Sequence, residues 1–150
     1  MFLSIDGIEG ESQDDKHKGE IEIESFSWGV KNSGSVFGGG GGAGKAIFDS
    51  LSLVHRVDKA SVRLALATAT GQHLKFAELT VRKAGGNQQE YLTYKLEDLL
   101  VSSVTTSGSS GTPVETVSLN FSKLEISYHE QKADGSLGPA ITAILTPSGP

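Results

Sequence analysis

Apolar and polar residues alternate along most of this chain, and the alternation repeatedly slips by one position. Residues 20–30 read Glu-Ile-Glu-Ile-Glu-Ser-Phe-Ser-Trp-Gly-Val, with Ile21 and Ile23 on one parity and Phe26, Trp28 and Val30 on the other. This is the period-2 pattern of a half-buried strand, with its phase changing near Glu24 and Ser25. The same slip recurs where Leu74 and Phe76 give way to Leu79 and Val81, and where Leu92, Tyr94 and Leu96 give way to Leu99 and Val101. It recurs again where Val117, Leu119 and Phe121 give way to Leu124, Ile126 and Tyr128. A one-residue slip turns a strand's apolar set to the wrong face unless a bulge or bend re-aims it. Barrels and strongly coiled sheets require such bends, so the pattern predicts a mainly β, barrel-like sheet.

A short apolar start, Phe2–Ile5, precedes a polar loop, and further strands are expected at Ile47–Val54, Tyr91–Val101 and Ala140–Leu145. One helix is expected, over Asp58–Thr70. Asp58 is placed to cap it, Ala60, Leu64 and Ala67 fall at i, i+4 and i+7, and Gly71 stands where a left-handed terminal residue is wanted. An alanine-rich apolar side permits close approach to a sheet. On this pattern Phe26, Trp28 and Val30 face the interior, leaving Ser25, Ser27 and Gly29 on the opposite face.

At 150 residues the chain is one domain, 1–150. Glycine is in excess, with 19 residues, and most of it falls in loops: Gly34 to Lys45, Gly85-Gly86-Asn87, Ser107 to Gly111 and Asp134-Gly135. The net charge of -5 argues against nucleic acid or an anionic membrane as partner. There is no cysteine, which removes disulfides, thiolate metal sites and a cysteine nucleophile. The stretch Met1 to Asp6 carries no basic n-region, and no later segment reaches membrane-spanning length. The expectation is a cytoplasmic protein without a cleaved signal peptide.

Candidate chemistry is sparse. Gly39, Gly44 and Lys45 satisfy the opening of a phosphate-binding loop, but Ala46 stands where Ser or Thr must hold magnesium, and the next residues read as strand where a helix is needed. Gly39, Gly41 and Gly44 meet the looser dinucleotide pattern and fail for the same reason. His17, His55, His73 and His129 show no ligand spacing, and His17, beside Asp14 and Asp15, reads as a solvated loop residue whose partial charge tunes a contact with another subunit. Glu97 and Asp98, as strand neighbours, point to opposite faces and form no acid–base pair. The residues yield no catalytic, cofactor or metal constellation.

Several blocks resemble one family in order and spacing. Gly7-Ile8-Glu9-Gly10-Glu11-Ser12, His17 and Ser25-Phe26-Ser27-Trp28-Gly29-Val30 are similar to the opening of the haemolysin-coregulated protein (Hcp) family, tube proteins of the type VI secretion system. So are Gly38 to Lys45, Val57-Asp58-Lys59-Ala60-Ser61, Thr70-Gly71-Gln72-His73, Leu79 to Gly86, Leu99 to Val104, Val117 to Phe121 and Gln131 to Gly135. The resemblance runs from about residue 2 to residue 138. It implies an antiparallel β-barrel with one packed helix. It also implies a non-enzymatic subunit that forms hexameric rings, which stack into a tube inside a sheath, capped by a spike. On that reading the protein is secreted whole and carries or stabilises effector proteins in the lumen. Ser25, Ser27 and Gly29 become the lumen-facing row, and Gly38, Gly39, Gly40, Gly41, Gly42, Gly44 and Lys45 a ring-stacking loop. Two other readings fit the same residues: a tail-tube protein of another contractile injection apparatus, and a monomeric barrel that binds a small ligand.

Overall fold

The computed structural model of the chain describes residues 1–34, 36, 44–83 and 88–147. Its elements in chain order are β1 (Phe2–Ile5), β2 (Ile21–Glu22), β3 (Ser25–Ser27), β4 (Val30–Asn32), β5 (Ala46–Phe48), β6 (Leu51–Arg56), α1 (Ala60–Thr70), β7 (His73–Arg82), β8 (Glu90–Ser107), β9 (Val114–Gln131) and β10 (Leu137–Leu145). The main sheet runs β2-β1-β7-β8-β9-β6-β3, antiparallel throughout, with β10 alongside β9. β8 flanks one side of β9, while the other side pairs with β6 over its first half and with β10 over its second. β4 and β5 leave this sheet and form a separate two-stranded ribbon.

Three of the four phase slips prove to be one feature. The register between β7 and β8 is unbroken from His73 opposite Leu100 to Val81 opposite Leu92, apart from a gap at Lys75 and Asp98. Between β8 and β9 the gap falls at Asp98 and Ser122, again without a change of register. Lys75, Asp98 and Ser122 therefore form a row across the sheet along which it bends. Asp98 takes φ 46°, a left-handed conformation that Asp tolerates better than most residues, and its carboxylate accepts a hydrogen bond from Ser122 Oγ at 3.1 Å. On either side of the row the buried parity changes, from Leu74 to Ala77, from Leu96 to Leu99 and from Leu119 to Leu124. Glu97 and Asp98 are consequently both exposed rather than turned to opposite faces.

The fourth slip is the corner that joins the two edges of the curled sheet. Ile23 N–H donates to Met1 O at 2.9 Å on the β1 side, and Glu24 N–H donates to Val54 O at 2.8 Å on the β6 side. What the pattern reads as one strand over 20–30 is therefore three, and their apolar residues have different fates. Ile21 and Ile23 are in the core, Phe26 and Trp28 are half-buried at its margin, and Val30 is 48% exposed because it has left for the β4–β5 ribbon. The inward placement of Val30 is thus corrected. The strand expected over 47–54 divides likewise, at Asp49-Ser50, into β5 of the ribbon and β6 of the main sheet.

Leu53, Leu64, Leu79, Leu96, Leu119 and Leu124 fill the interior. α1 packs on β8 through Ala60, Leu64 and Ala67, the three expected positions. The helix begins at Ala60 rather than Asp58 because Asp58 acts through its side chain: Oδ1 accepts Ala60 N–H at 2.9 Å, and Asp58 N–H donates back to Ser61 Oγ at 3.1 Å. Gly71, at φ 65°, ends it. Sequence reading missed a polar row inside this apolar wall. His55, Glu115 and Thr106 are paired across β6, β9 and β8. His55 Nε2 lies 2.9 Å from Glu115 Oε1, and Thr106 Oγ1 donates to Glu115 Oε2 at 2.8 Å, with His55 1% and Glu115 3% exposed.

Candidate functional site

The outward face of β3, β6, β9 and β8 carries a feature that no linear motif shows. Strand pairing aligns Ser27, Ser52, Ser118 and Ser103 in one transverse row, and Ser25, Val54, Thr116 and Thr105 in the next. Leu53, Val117 and Leu119, the neighbours of opposite parity on β6 and β9, are core residues, so the row stands on the other face by the two-residue period, and on β8 the bulge between Val101 and Ser103 brings Ser103 into it opposite Ser118. Four strands at about 4.8 Å spacing make this patch roughly 15 Å wide. Its side chains are short and uncharged. Ser102 sits at the bulge where the β8–β9 register shifts by one, and its Oγ donates to Ser118 O at 3.2 Å. Beyond the first row Asn120 bonds Ser50, and the patch ends at the other side in the Arg56–Glu24 pair, 2.8 Å apart and exposed. The same side of the sheet past the bend is different in kind, with Glu78, Lys95 and Glu125 in one paired row.

Ser25 and Ser27 lie on this patch and are exposed. Gly29 is not on it. It adjoins the β4–β5 ribbon, where Asp49 N–H donates to its carbonyl at 2.9 Å and a Cβ would meet Asp49 Oδ2 at 3.0 Å. Of the residues expected to form a stacking loop, Gly44 and Lys45 stand at the end of the ribbon, tied by Lys45 N–H to Ser33 Oγ at 3.0 Å and by Asn32 Nδ2 to Gly44 O at 3.1 Å. Gly38, Gly39, Gly40, Gly41 and Gly42 lie outside the described residues. Directly after Lys45 comes the strand Ala46–Phe48, so a phosphate-binding loop, which must open a helix, is not formed there.

β10 presents a second surface. It pairs with β9 alone among the described strands, and Ile141 and Ile144, on opposite faces of it, are 67% and 59% exposed. Ile141 continues an apolar row through the exposed Tyr128 to the half-buried Leu92. An unpaired edge with apolar residues on both faces is a template for another chain.

His17 is not the solvated residue expected from its acidic neighbours. It is 7% exposed and stacked on Phe2, with centroids 4.6 Å apart. Tyr94, at the half-buried margin with Phe26 and Trp28, has its hydroxyl pKa raised by burial and, less, by Tyr91. Among the described residues no three His, Asp or Glu side chains come together as a metal site, and no helix is long and apolar enough to cross a membrane. Two surface clefts, of about 520 and 840 Å³, are lined by mixed charged and apolar groups, Met1, Phe2, Glu22 and Asp58 among them in one and Ile5, Ile8, Lys18 and Arg63 in the other, rather than by the hydroxyl patch.

Comparison with known proteins is consistent throughout. Residues 2–128 match the family model described as "Type VI secretion system effector, Hcp". The chain is 47% identical over 140 residues to Protein hcp1 of Pseudomonas aeruginosa, covering 91% of this chain and 86% of that one. Its fold superposes on the crystal structure of Hcp1 from Salmonella typhimurium with a TM-score of 0.80, at 41% identity over 98% of this chain and 93% of that one. A solved type six secretion system protein gives a TM-score of 0.89 at 32% identity, covering 97% and 93%.

Proposed function

Since the chain belongs to the Hcp family of type VI secretion system proteins, we propose that it is the structural subunit of that system's tube. Six copies close into a ring, rings stack into a tube within the sheath and beneath the spike, and the hydroxyl patch lines the lumen and holds effector proteins in transit. The observation that carries this reading is the absence of charge across the patch, in a sheet whose outer face is charged beyond the bend. A wall that passes folded cargo must not repel either sign of charge and must leave the bore wide. Short hydroxyl side chains do both. Each neutral hydrogen bond they offer a passenger replaces one to water and contributes only about 1 kcal/mol net, so cargo is retained by many weak contacts and released when the ring opens or moves.

The free edge of β10 supplies one half of a head-to-tail joint between subunits, which closes a ring when the rotation between copies divides the circle. The ribbon β4–β5, ending in Gly44 and Lys45, is assigned to contact with an adjacent ring. A monomeric ligand-binding barrel is not favoured, because leucines fill the interior.

The test is Ser27→Trp. Rings are expected to persist by negative-stain microscopy, while an effector of the same apparatus, co-expressed with the variant, no longer co-purifies. Loss of rings with retention of monomer places Ser27 at a subunit interface instead and refutes the assignment of the patch.

A further inference from the structure

His17 is held by two carboxylates from different parts of the chain. Its Nδ1 lies 2.9 Å from Glu20 Oε2, in its own loop, and its Nε2 lies 2.5 Å from Glu90 Oε1, the first residue of β8. Phe2 stacks on the imidazole at an interplanar angle of 4°, and the Arg82 guanidinium from β7 also lies over the Phe2 ring, 4.5 Å from its centroid. Arg82 in turn donates to both carboxylate oxygens of Asp14, at 2.6 and 3.2 Å. Arg82 thus has its own anion, leaving Glu20 and Glu90 to His17. The loop is also joined to itself, through Ser12 N–H to Glu20 O and Gly19 N–H to Ser12 O at 3.0 and 2.9 Å, while its start is tied to β7 by Asp6 N–H to Phe76 O at 3.0 Å and Glu11 accepts Lys59 N–H at 2.7 Å. Gly10 is pressed so closely against Glu20 that a Cβ would stand 2.5 Å from its carbonyl oxygen.

Only the imidazolium has a proton on each nitrogen, so only the charged ring donates to both carboxylates at once. When the ring is neutral, one lone pair faces a carboxylate across a hydrogen-bond distance. We propose that His17 is a pH-operated clamp, tightening the 6–20 loop against the β7–β8 hairpin when protonated and, with the Asp14–Arg82 pair still in place, loosening the segment around it when neutral. Burial disfavours the charged ring, but the hydrogen bonds to Glu90 and Glu20, with their negative charge, outweigh it and raise the pKa above the usual 6.5. A folded-state pKa above the unfolded value places the clamp's full contribution below about pH 6.5, and that contribution is lost as pH rises through the folded value.

Hydrogen–deuterium exchange of the assembled protein, read on the peptide spanning residues 8–20 and corrected for the intrinsic pH dependence of exchange, tests this. Wild-type protection is expected to fall about tenfold between about pH 6 and about pH 9, while core peptides of β9 stay unchanged. His17→Gln, which keeps one hydrogen bond and cannot titrate, abolishes the pH dependence. Glu90→Gln keeps the dependence and moves its midpoint to lower pH, and it carries the test should His17→Gln misfold. Wild-type protection equal at the two pH values, or a midpoint that Glu90→Gln leaves in place, overturns the clamp.

Discussion

Glu115 is the side chain whose loss the fold should tolerate least. It is 3% exposed and bound on one oxygen by His55 and on the other by Thr106, with His55 itself 1% exposed. Replacing it with alanine leaves an imidazole in the apolar wall whose Nδ1 already has no hydrogen-bond partner among the described residues, with the nearest carboxylate oxygen, of Asp58, 3.9 Å away. Removing one partner of a buried pair costs about 3–5 kcal/mol, because the survivor's desolvation is no longer offset. With a urea dependence of about 2 kcal/mol/M, the midpoint drops by about 1.5–2.5 M. Trp28, the chain's single tryptophan, reports the transition by fluorescence, at one fixed protein concentration because assembly adds to apparent stability. The double variant His55→Leu/Glu115→Met replaces the pair by apolar groups of similar size and should recover most of the loss. A Glu115→Ala variant within about 1 kcal/mol of wild type, or a double variant as unstable as the sum of the singles, would show that His55 and Glu115 do not stabilise each other in the wall.

Leu64→Ala, at a helix position 1% exposed, should cost about 2–5 kcal/mol in the same urea assay, and a cost below 1 would show that α1 does not pack as described. Asp98→Gly should be close to neutral at φ 46°, whereas Asp98→Val should cost about 1–2 kcal/mol; equal effects would detach the bend from that backbone conformation. The hydrogen bonds from Arg82 hold the Asp14 carboxyl below its usual range. Their contribution is present above the unfolded pKa and lost as pH falls through the lowered one, so the stability gap between wild type and Arg82→Met should narrow on acidification; a gap that is constant with pH contradicts this. Ile141→Lys with Ile144→Lys changes exposed positions, and the monomer should therefore stay folded by circular dichroism while ring formation is lost in native mass spectrometry. Intact rings would remove β10 from the interface.

What the alternation of residues shows depends on how local the cause is. The helix is legible because Asp58, the 60-64-67 spacing and Gly71 are all encoded within a dozen positions. The slips are legible as slips, and a barrel follows from them, but their alignment is not: that Lys75, Asp98 and Ser122 share a row depends on pairings across more than 20 residues of sequence. Val30 is misread because a period-2 pattern runs through the point where the chain changes partner and leaves the sheet. Ser25 and Ser27 are legible as an outward pair, while Ser52, Ser103 and Ser118, which turn a pair into a surface, become their neighbours only through the pairing of β3, β6, β9 and β8. His17 is misplaced for the same reason. Its local neighbours Asp14 and Asp15 are acidic and read as solvated, and the residues that bury it, Phe2 and Glu90, come from β1 and β8. Family membership was readable from short blocks in fixed order, and the matched model over residues 2–128 agrees.

Electron cryo-microscopy of the purified protein tests most directly whether this chain builds a ring with a neutral wall. Six-membered rings are expected, with Ser27, Ser52, Ser118 and Ser103 facing the central channel. A strictly monomeric species at high concentration, or a ring that turns this row outward or buries it between subunits, contradicts this.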